Sequence, residues 1–334
     1  MDKIKIIFLV TIVALFAISC SKEANIVTPT TEDTPSQNNV FSEFYTTSNS
    51  GLLDNIINDI DYSINIVKIA TANGYTTFDG ANWNTLTTYN SSLPSNKVNC
   101  IKTSGTTTWI GTDNGLVSYD GVSMVIYNMS NSPLPLNKIR SLEIDYLNNL
   151  WIGTFSGGGL SKFDGINWTV YTPGNSNLPN NSVATITKDS SGDIWIATAN
   201  GISMFDGLNF INYSTSNSPL PNSNVYSIAI DNNDVKWIGS NGGLTRFDNI
   251  NWQTYNMQNS GLPLNLIRTI ALESSTNIWV GMAGQGIVNF NYTTNTWSHY
   301  NSNNSNLQNN YINQITIAPN NKKWLSTENG IAIK

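Results

Sequence analysis

The chain has 334 residues, of which only 11% are charged, with a net charge of −6 and a pI near 4.7. That balance lacks the clustered Lys and Arg that a nucleic-acid backbone requires, so nucleic acid is not expected as a partner. Cys20 and Cys100 alone do not make a disulfide framework, and surface polarity comes from Asn, Ser and Thr.

Residues 1–19 begin with Lys3 and Lys5, continue through an apolar run from Ile6 to Ile18 broken by Thr11, and end at Ser19. The run is short for a bilayer span and reads as a secretory signal. Ala17-Ile18-Ser19-Cys20 resembles the lipobox of bacterial lipoproteins, with Ala17 where Leu is usual, which implies a lipid anchor on Cys20. Ordinary cleavage at the same bond is the alternative. Residues 20–40, rich in Thr, Pro, Ser and Asn without hydrophobic period, read as a tether with a reach on the order of 25 Å. Lys22-Glu23 is similar to the signal that sends some Gram-negative lipoproteins to the cell surface, so an outer-membrane lipoprotein on either leaflet is expected.

From Phe41 to Lys334 one phrase recurs. Its copies begin at Lys68, Trp109, Trp151, Trp195, Trp237, Trp279 and Trp324, at intervals of 41, 42, 44, 42, 42 and 45 residues. A period of this size predicts an all-β, seven-bladed β-propeller of four-stranded blades. The third copy is the clearest, with strands expected over Ile139 to Ile144, Leu150 to Gly153, Leu160 to Phe163 and Trp168 to Tyr171. Asn-Gly pairs such as Asn114-Gly115 join the middle strands and Asp-Gly pairs such as Asp164-Gly165 join the last two, because both tolerate the positive φ of tight hairpins. Leu-Pro pairs such as Leu134-Pro135 end pairing in the loops between blades. The last copy has only three strands, and Phe41 to Tyr45 stands at the spacing of an outer strand. The N-terminal strand is therefore expected to complete the last blade and close the ring.

Leu-Pro-x-Asn-x-Val, then Trp-Ile-Gly-Thr, then Gly-Leu-x-x-Phe-Asp-Gly resemble the two-component regulator propeller repeat, over Phe41 to Lys334. The resemblance implies an extracytoplasmic domain of the kind that senses polysaccharide fragments for hybrid histidine kinases, or a secreted protein or lipoprotein without a kinase. With no internal membrane span, kinase or receiver segment in the sequence, this chain is not expected to carry a phosphorelay itself.

Positions that repeat serve the ring, and positions that vary within it are free to bind. Asp145, Asp189, Asp231 and Glu273 share one repeated place and are assigned to turns rather than to catalysis or calcium. The recurring Trp residues are assigned to packing between blades, and Cys100 to core filling. The variable set is Lys97, Asn99, Lys138, Arg140, Tyr226, Arg268, Tyr311 and Asn313 near the starts of the inner strands, with Asp113, Phe155, Gln285 and Glu328 in the hairpins before the third strands. A propeller brings both groups to one face, where Arg, Tyr and Asn pair with carboxylates and hydroxyls and stack on sugars.

No His or Cys cluster marks a metal, no phosphate loop marks a nucleotide, and no cofactor is expected. The single histidine, His299, falls on an outer strand far from the channel, whereas the antibiotic-cleaving lyases of this architecture use a histidine with metal-binding carboxylates near it. The expected function is therefore a non-catalytic extracytoplasmic module that binds a glycan or an envelope protein. A sensor subunit feeding a separate kinase, and a lyase or hydrolase using Asp113 and Glu328, are the alternatives.

Overall fold

The computed structural model describes residues 39–63, 65–155 and 157–334. The expected signal peptide and the expected lipidation site, Cys20, lie outside them, as does all of the expected tether but its last two residues. Among the described residues, seven four-stranded antiparallel sheets follow one another in chain order, six of them with strands in simple sequence order. In blade three the strands are Ile139–Ile144, Leu150–Thr154, Leu160–Phe163 and Trp168–Tyr171, as the sequence period predicts. Inner strands pack against the inner strands of both neighbouring blades, that of blade seven against that of blade one, so the sheets form a ring.

The burial pattern explains the repeated phrase. Leu150–Thr154 is buried at every residue, because each blade has a neighbour on both faces, whereas the outer strand Trp168–Tyr171 is only partly covered. The Gly of the Trp-Ile-Gly-Thr phrase is the point of closest approach. A Cβ on Gly239 would stand 2.7 Å from Cγ2 of Ile267 in the next blade.

Blade seven is completed from the other end of the ring. Glu43–Tyr45 pairs antiparallel with Gly330–Ile333, with Glu43 opposite Ile333 and Tyr45 opposite Ile331. The backbone N–H groups of Val40 and Phe41 both donate to Oδ1 of Asn306 at 3.0 Å, and Lys322 meets Glu43 at 2.6 Å. Phe41 is buried among Trp279, Leu307 and Leu325.

Between blades sits a recurring cluster of four aromatic rings. At the interface of blades two and three Trp109 and Tyr127 meet Phe163 and Trp168, with Phe163 stacked on Trp168 at 4.6 Å. Trp195, Tyr213, Phe247 and Trp252 repeat the cluster two blades on. The repeated Trp residues are packing elements, as their repetition implies. Two interfaces depart from the rule. Lys68, in the tryptophan's place in blade one, is buried and donates to Thr103 and Thr108 at 2.7 and 2.9 Å. At blades six and seven the Lys334 ammonium lies 4.6 Å from the Tyr300 ring in place of a phenylalanine.

The turns use the expected residues in a different way. Positive φ falls on Gly74, Gly115, Gly201 and Gly330 but not on the Asn before each, and on Gly80, Gly121, Gly165 and Gly207 but not on the Asp. The Asp instead folds its carboxylate back onto the turn, as Asp164 Oδ1 does in accepting the N–H groups of Ile166 and Asn167 at 2.8 and 2.7 Å. The abundance of Asn has a similar cause. Asn131 accepts from the backbone of Asn128 and donates to the carbonyl of Ile126, and Asn175 and Asn259 repeat this in their own loops. The side-chain amide thus supplies both halves of a backbone hydrogen-bond pair where the loop has no strand beside it.

Candidate functional site at the channel mouth

Each inner strand carries one β-bulge, at the same place. Register shifts fall between Ile57 and Asp59, Val98 and Cys100, Ile139 and Ser141, Val183 and Thr185, Val225 and Ser227, Ile267 and Thr269, and Ile312 and Gln314. The extra residues are Asn58, Asn99, Arg140, Ala184, Tyr226, Arg268 and Asn313. A bulge releases one residue from the ladder and re-aims its side chain. All seven line a central cavity of about 510 Å³.

Three of these side chains build the ring. The amide of Asn58 donates to the carbonyl of Val98 at 2.6 Å, that of Asn99 to Ile139 at 3.0 Å, and that of Asn313 to Ile57 at 2.9 Å. Each therefore pins its blade to the next, from blade seven through blade three. In blades three to six the bulged residues are Arg140, Ala184, Tyr226 and Arg268, and none makes such a pin. Blades seven, one and two thus carry an asparagine pin at the bulge, whereas of the other four bulged side chains only that of Arg268 bonds the next blade, at the Tyr311 hydroxyl.

The remaining candidates fall into two clusters. Asp113 meets Lys97 at 3.7 Å and Lys138 at 3.9 Å and accepts from Asn99 at 2.9 Å. Beside it the Phe155 ring lies under Lys138 at 4.9 Å and Arg140 at 5.4 Å. Burial, and next the charge of Arg268, holds the Arg140 guanidinium below its ordinary pKa. In the second cluster Arg268 donates to the Tyr311 hydroxyl at 2.9 Å and lies 4.8 Å from that ring. Gln285 and Glu328 are exposed on the hairpins of blades six and seven, away from the cavity lining. His299 is on the outer strand Thr296–Tyr300, where its Nε2 lies 2.6 Å from the carbonyl of Gln285.

Deeper in the cavity lies a charged belt that the sequence reading did not assemble. Glu143, only 7% exposed, pairs with Lys102 of blade two and Lys188 of blade four, both at 2.7 Å. Asp61 accepts from Thr103, and Asp59 accepts the backbone N–H of Ile101 at 2.8 Å. Burial pushes Asp59 up to about 7, against the pull of that hydrogen bond. The belt has a sequence signal, the run Asp61, Lys102, Glu143 at one strand position of three successive blades.

Three of the four acids assigned to turns do more than turn the chain. Asp145 accepts from the backbone of Leu147 and Asn149 and from the indole of Trp151, and Asp189 and Glu273 likewise hold Trp195 and Trp279. Asp231 accepts from Asn233 and Val235 only.

Residues 177–200, which run from the loop before blade four into its middle hairpin, match the two component regulator propeller family. The match falls on one of the seven repeats of the ring. No curated protein matches it. Among solved structures the propeller is similar to the extracellular domain of BT3049, a candidate hybrid two component system of B. thetaiotaomicron, at 22% identity and a TM-score of 0.72. That match covers 84% of this chain and 39% of the other, so the chain spans about two fifths of the length of that extracellular domain. Virginiamycin B lyase of Staphylococcus aureus is similar at 16% identity and a TM-score of 0.70, over 87% of this chain and 97% of the lyase. PorZ, a surface component of the type-IX secretion system of Porphyromonas gingivalis, is similar at 14% identity and a TM-score of 0.68, over 85% of this chain and 47% of that one. At such identities the shared property is the propeller, which supports binding, assembly and catalysis alike.

Proposed function

We propose that this regulator propeller is a non-catalytic, extracytoplasmic binding module, held at the outer membrane by lipid on Cys20, that receives a glycan or an envelope protein at its channel mouth. The split of the bulged residues carries the reading. Where the bulge pins one blade to the next backbone it holds Asn; across blades three to six it holds Arg140, Ala184, Tyr226 and Arg268, which line the cavity and of which only Arg268 bonds the next blade, through the Tyr311 hydroxyl. Side chains kept at a shaped opening without a structural task are the ordinary mark of a binding site.

The similarity to extracellular domains of candidate two component systems supports a second reading, in which the bound module feeds a separate kinase. A lyase or hydrolase reading finds less support. Its acids are dispersed, since Asp113 is engaged by two lysines on blade two and Glu328 projects from blade seven.

The test is a cross-linked pull-down of the full-length protein from intact cells, beside an Arg140→Ala, Arg268→Ala double variant. An envelope protein captured near stoichiometry and lost from the variant supports a partner at the mouth. The same protein retained by the variant moves the site elsewhere. If none is captured, binding of glycans to the purified protein decides, and failure there as well rejects the module.

A further inference from the structure

The two arginines of the mouth lack the carboxylate partner that several other covered cations in the molecule have, although buried Lys68 also does without one and donates to two threonines instead. Lys102 and Lys188 share Glu143, Lys323 meets Glu273 at 2.7 Å, and Arg246 meets Asp248 at 2.9 Å. Among the described residues no carboxylate lies within ion-pair distance of Arg140 or Arg268. Partly buried guanidinium groups without a counter-charge are costly, and two that face one cavity also repel each other. Both are nonetheless placed there by backbone bulges and held by aromatic rings, Arg140 on Phe155 and Arg268 on Tyr311.

Resting on the reading of the mouth as a binding site, we propose that its ligand is an acidic saccharide whose oxyanion, a carboxylate or a sulfate, is gripped by Arg140 and Arg268. The two come from blades three and six of a seven-blade ring, so they line opposite sides of the opening. Between them Ala184 takes up almost no room and Tyr226 offers a ring face for the sugar. Each guanidinium lies against an aromatic ring, and its planar fork suits bidentate pairing with an oxyanion. The nearby acids do not compete. The oxygens of Asp59 are taken by the backbone N–H groups of Ile60 and Ile101, and Asp113 is taken by Lys97, Lys138 and Asn99. An arriving anion relieves the repulsion between the arginines and supplies the missing counter-charge.

The experiment is calorimetric titration of the full-length protein with three oligosaccharide probes: an oligogalacturonide, a sulfated galactan fragment and the neutral galactan fragment. The expected result is binding of at least one acidic probe, weakened by salt, with the neutral probe at least about tenfold weaker. Arg140→Met and Arg268→Met should each cost roughly 10- to 100-fold, as loss of hydrogen bonds to a charged group does, and Arg140→Lys should fall between. Arg246→Met, which removes a paired arginine away from the mouth, should bind as the parent does. The thermal transition of each variant separates lost binding from lost folding. Equal binding of neutral and acidic probes, or acidic binding that survives both arginine variants, overturns the oxyanion grip and leaves the binding module standing. No acidic probe bound, with an envelope protein captured from cells, rejects the acidic saccharide in favour of a protein partner. Neither probe nor protein bound rejects both readings.

Discussion

The indole N–H of Trp151 donates to Oδ2 of Asp145 at 2.9 Å, and the same carboxylate caps the turn between the two strands that carry them. One acid thus fixes a hairpin and a ring of the interblade aromatic cluster together. Hydrogen bonds from the turn, Asn149 and Trp151 hold Asp145 below its usual pKa even though burial works the other way. Asp145→Ala should destabilise the protein by about 2–3 kcal/mol, read by chemical denaturation, because it strands the indole and the turn donors at once. An unchanged midpoint would show that the bond contributes nothing.

The converse substitution is a sharper test. Ala318 occupies the place of Asp145 in blade seven, and the buried indole N–H of Trp324 has no partner. Ala318→Asp should raise stability by about 1 kcal/mol and the melting temperature with it. A lower melting temperature would mean that blade seven cannot accommodate the charge.

Ring closure rests on Phe41 as much as on the strand behind it. Phe41→Ala should cost about 3–5 kcal/mol, the usual loss for a buried phenylalanine. Val122→Ala, at a side chain 91% exposed, should stay within about 0.5 kcal/mol. Equal losses in the two would remove the closure role from Phe41.

Two carboxylates set opposite pH limits. Burial works against the Glu273 charge, but hydrogen bonds from Lys323, Trp279 and Asn321 outweigh it and depress the group to about 2. Its stabilisation is complete above the unfolded value of 4.5 and is lost as pH falls toward 2. Asp59 is raised from 3.8 to about 7, so the folded state prefers its neutral form and stability falls as pH rises between those values. Melting temperature should therefore rise from pH 2 to about 4.5. Asp59→Asn should flatten the decline between pH 4 and 7, and Glu273→Gln should flatten the acid limb. A decline in Asp59→Asn as steep as the parent's would assign it to other groups.

Anchoring is tested outside the folded head. Metabolic labelling with a palmitate analogue should mark the parent protein, and Cys20→Ser should lose both the label and the membrane fraction. A Cys20→Ser protein that keeps both would refute lipidation at this residue.

Much of the fold was legible because repetition tells frame from variation within a single sequence. The strands of blade three and the role of Glu43–Tyr45 follow from spacing alone. What spacing does not show is the register between strands. The seven bulged residues are Asn, Asn, Arg, Ala, Tyr, Arg and Asn, with no common chemistry, because a bulge is set by pairing with the neighbouring strand and not by side-chain type. The sequence therefore grouped Asn99 and Asn313 with Arg140 and Arg268, although the first two carry interblade pins. The Glu143 belt was hidden for a related reason, since Lys102 and Lys188 lie far from it along the chain and meet it only where the inner strands of adjacent blades pack together.

The strand that completes blade seven also orders events in time. Glu43–Tyr45 precedes the other strands of the ring in the chain and its ladder partner Gly330–Ile333 follows them, so the first strand stays unpaired while the other blades are made. Joining them closes the longest loop available to the chain and costs correspondingly more entropy than any hairpin within a blade. A protein that crosses a membrane before it folds would gain from this arrangement, because the ring cannot lock shut until the whole of it has arrived on the far side.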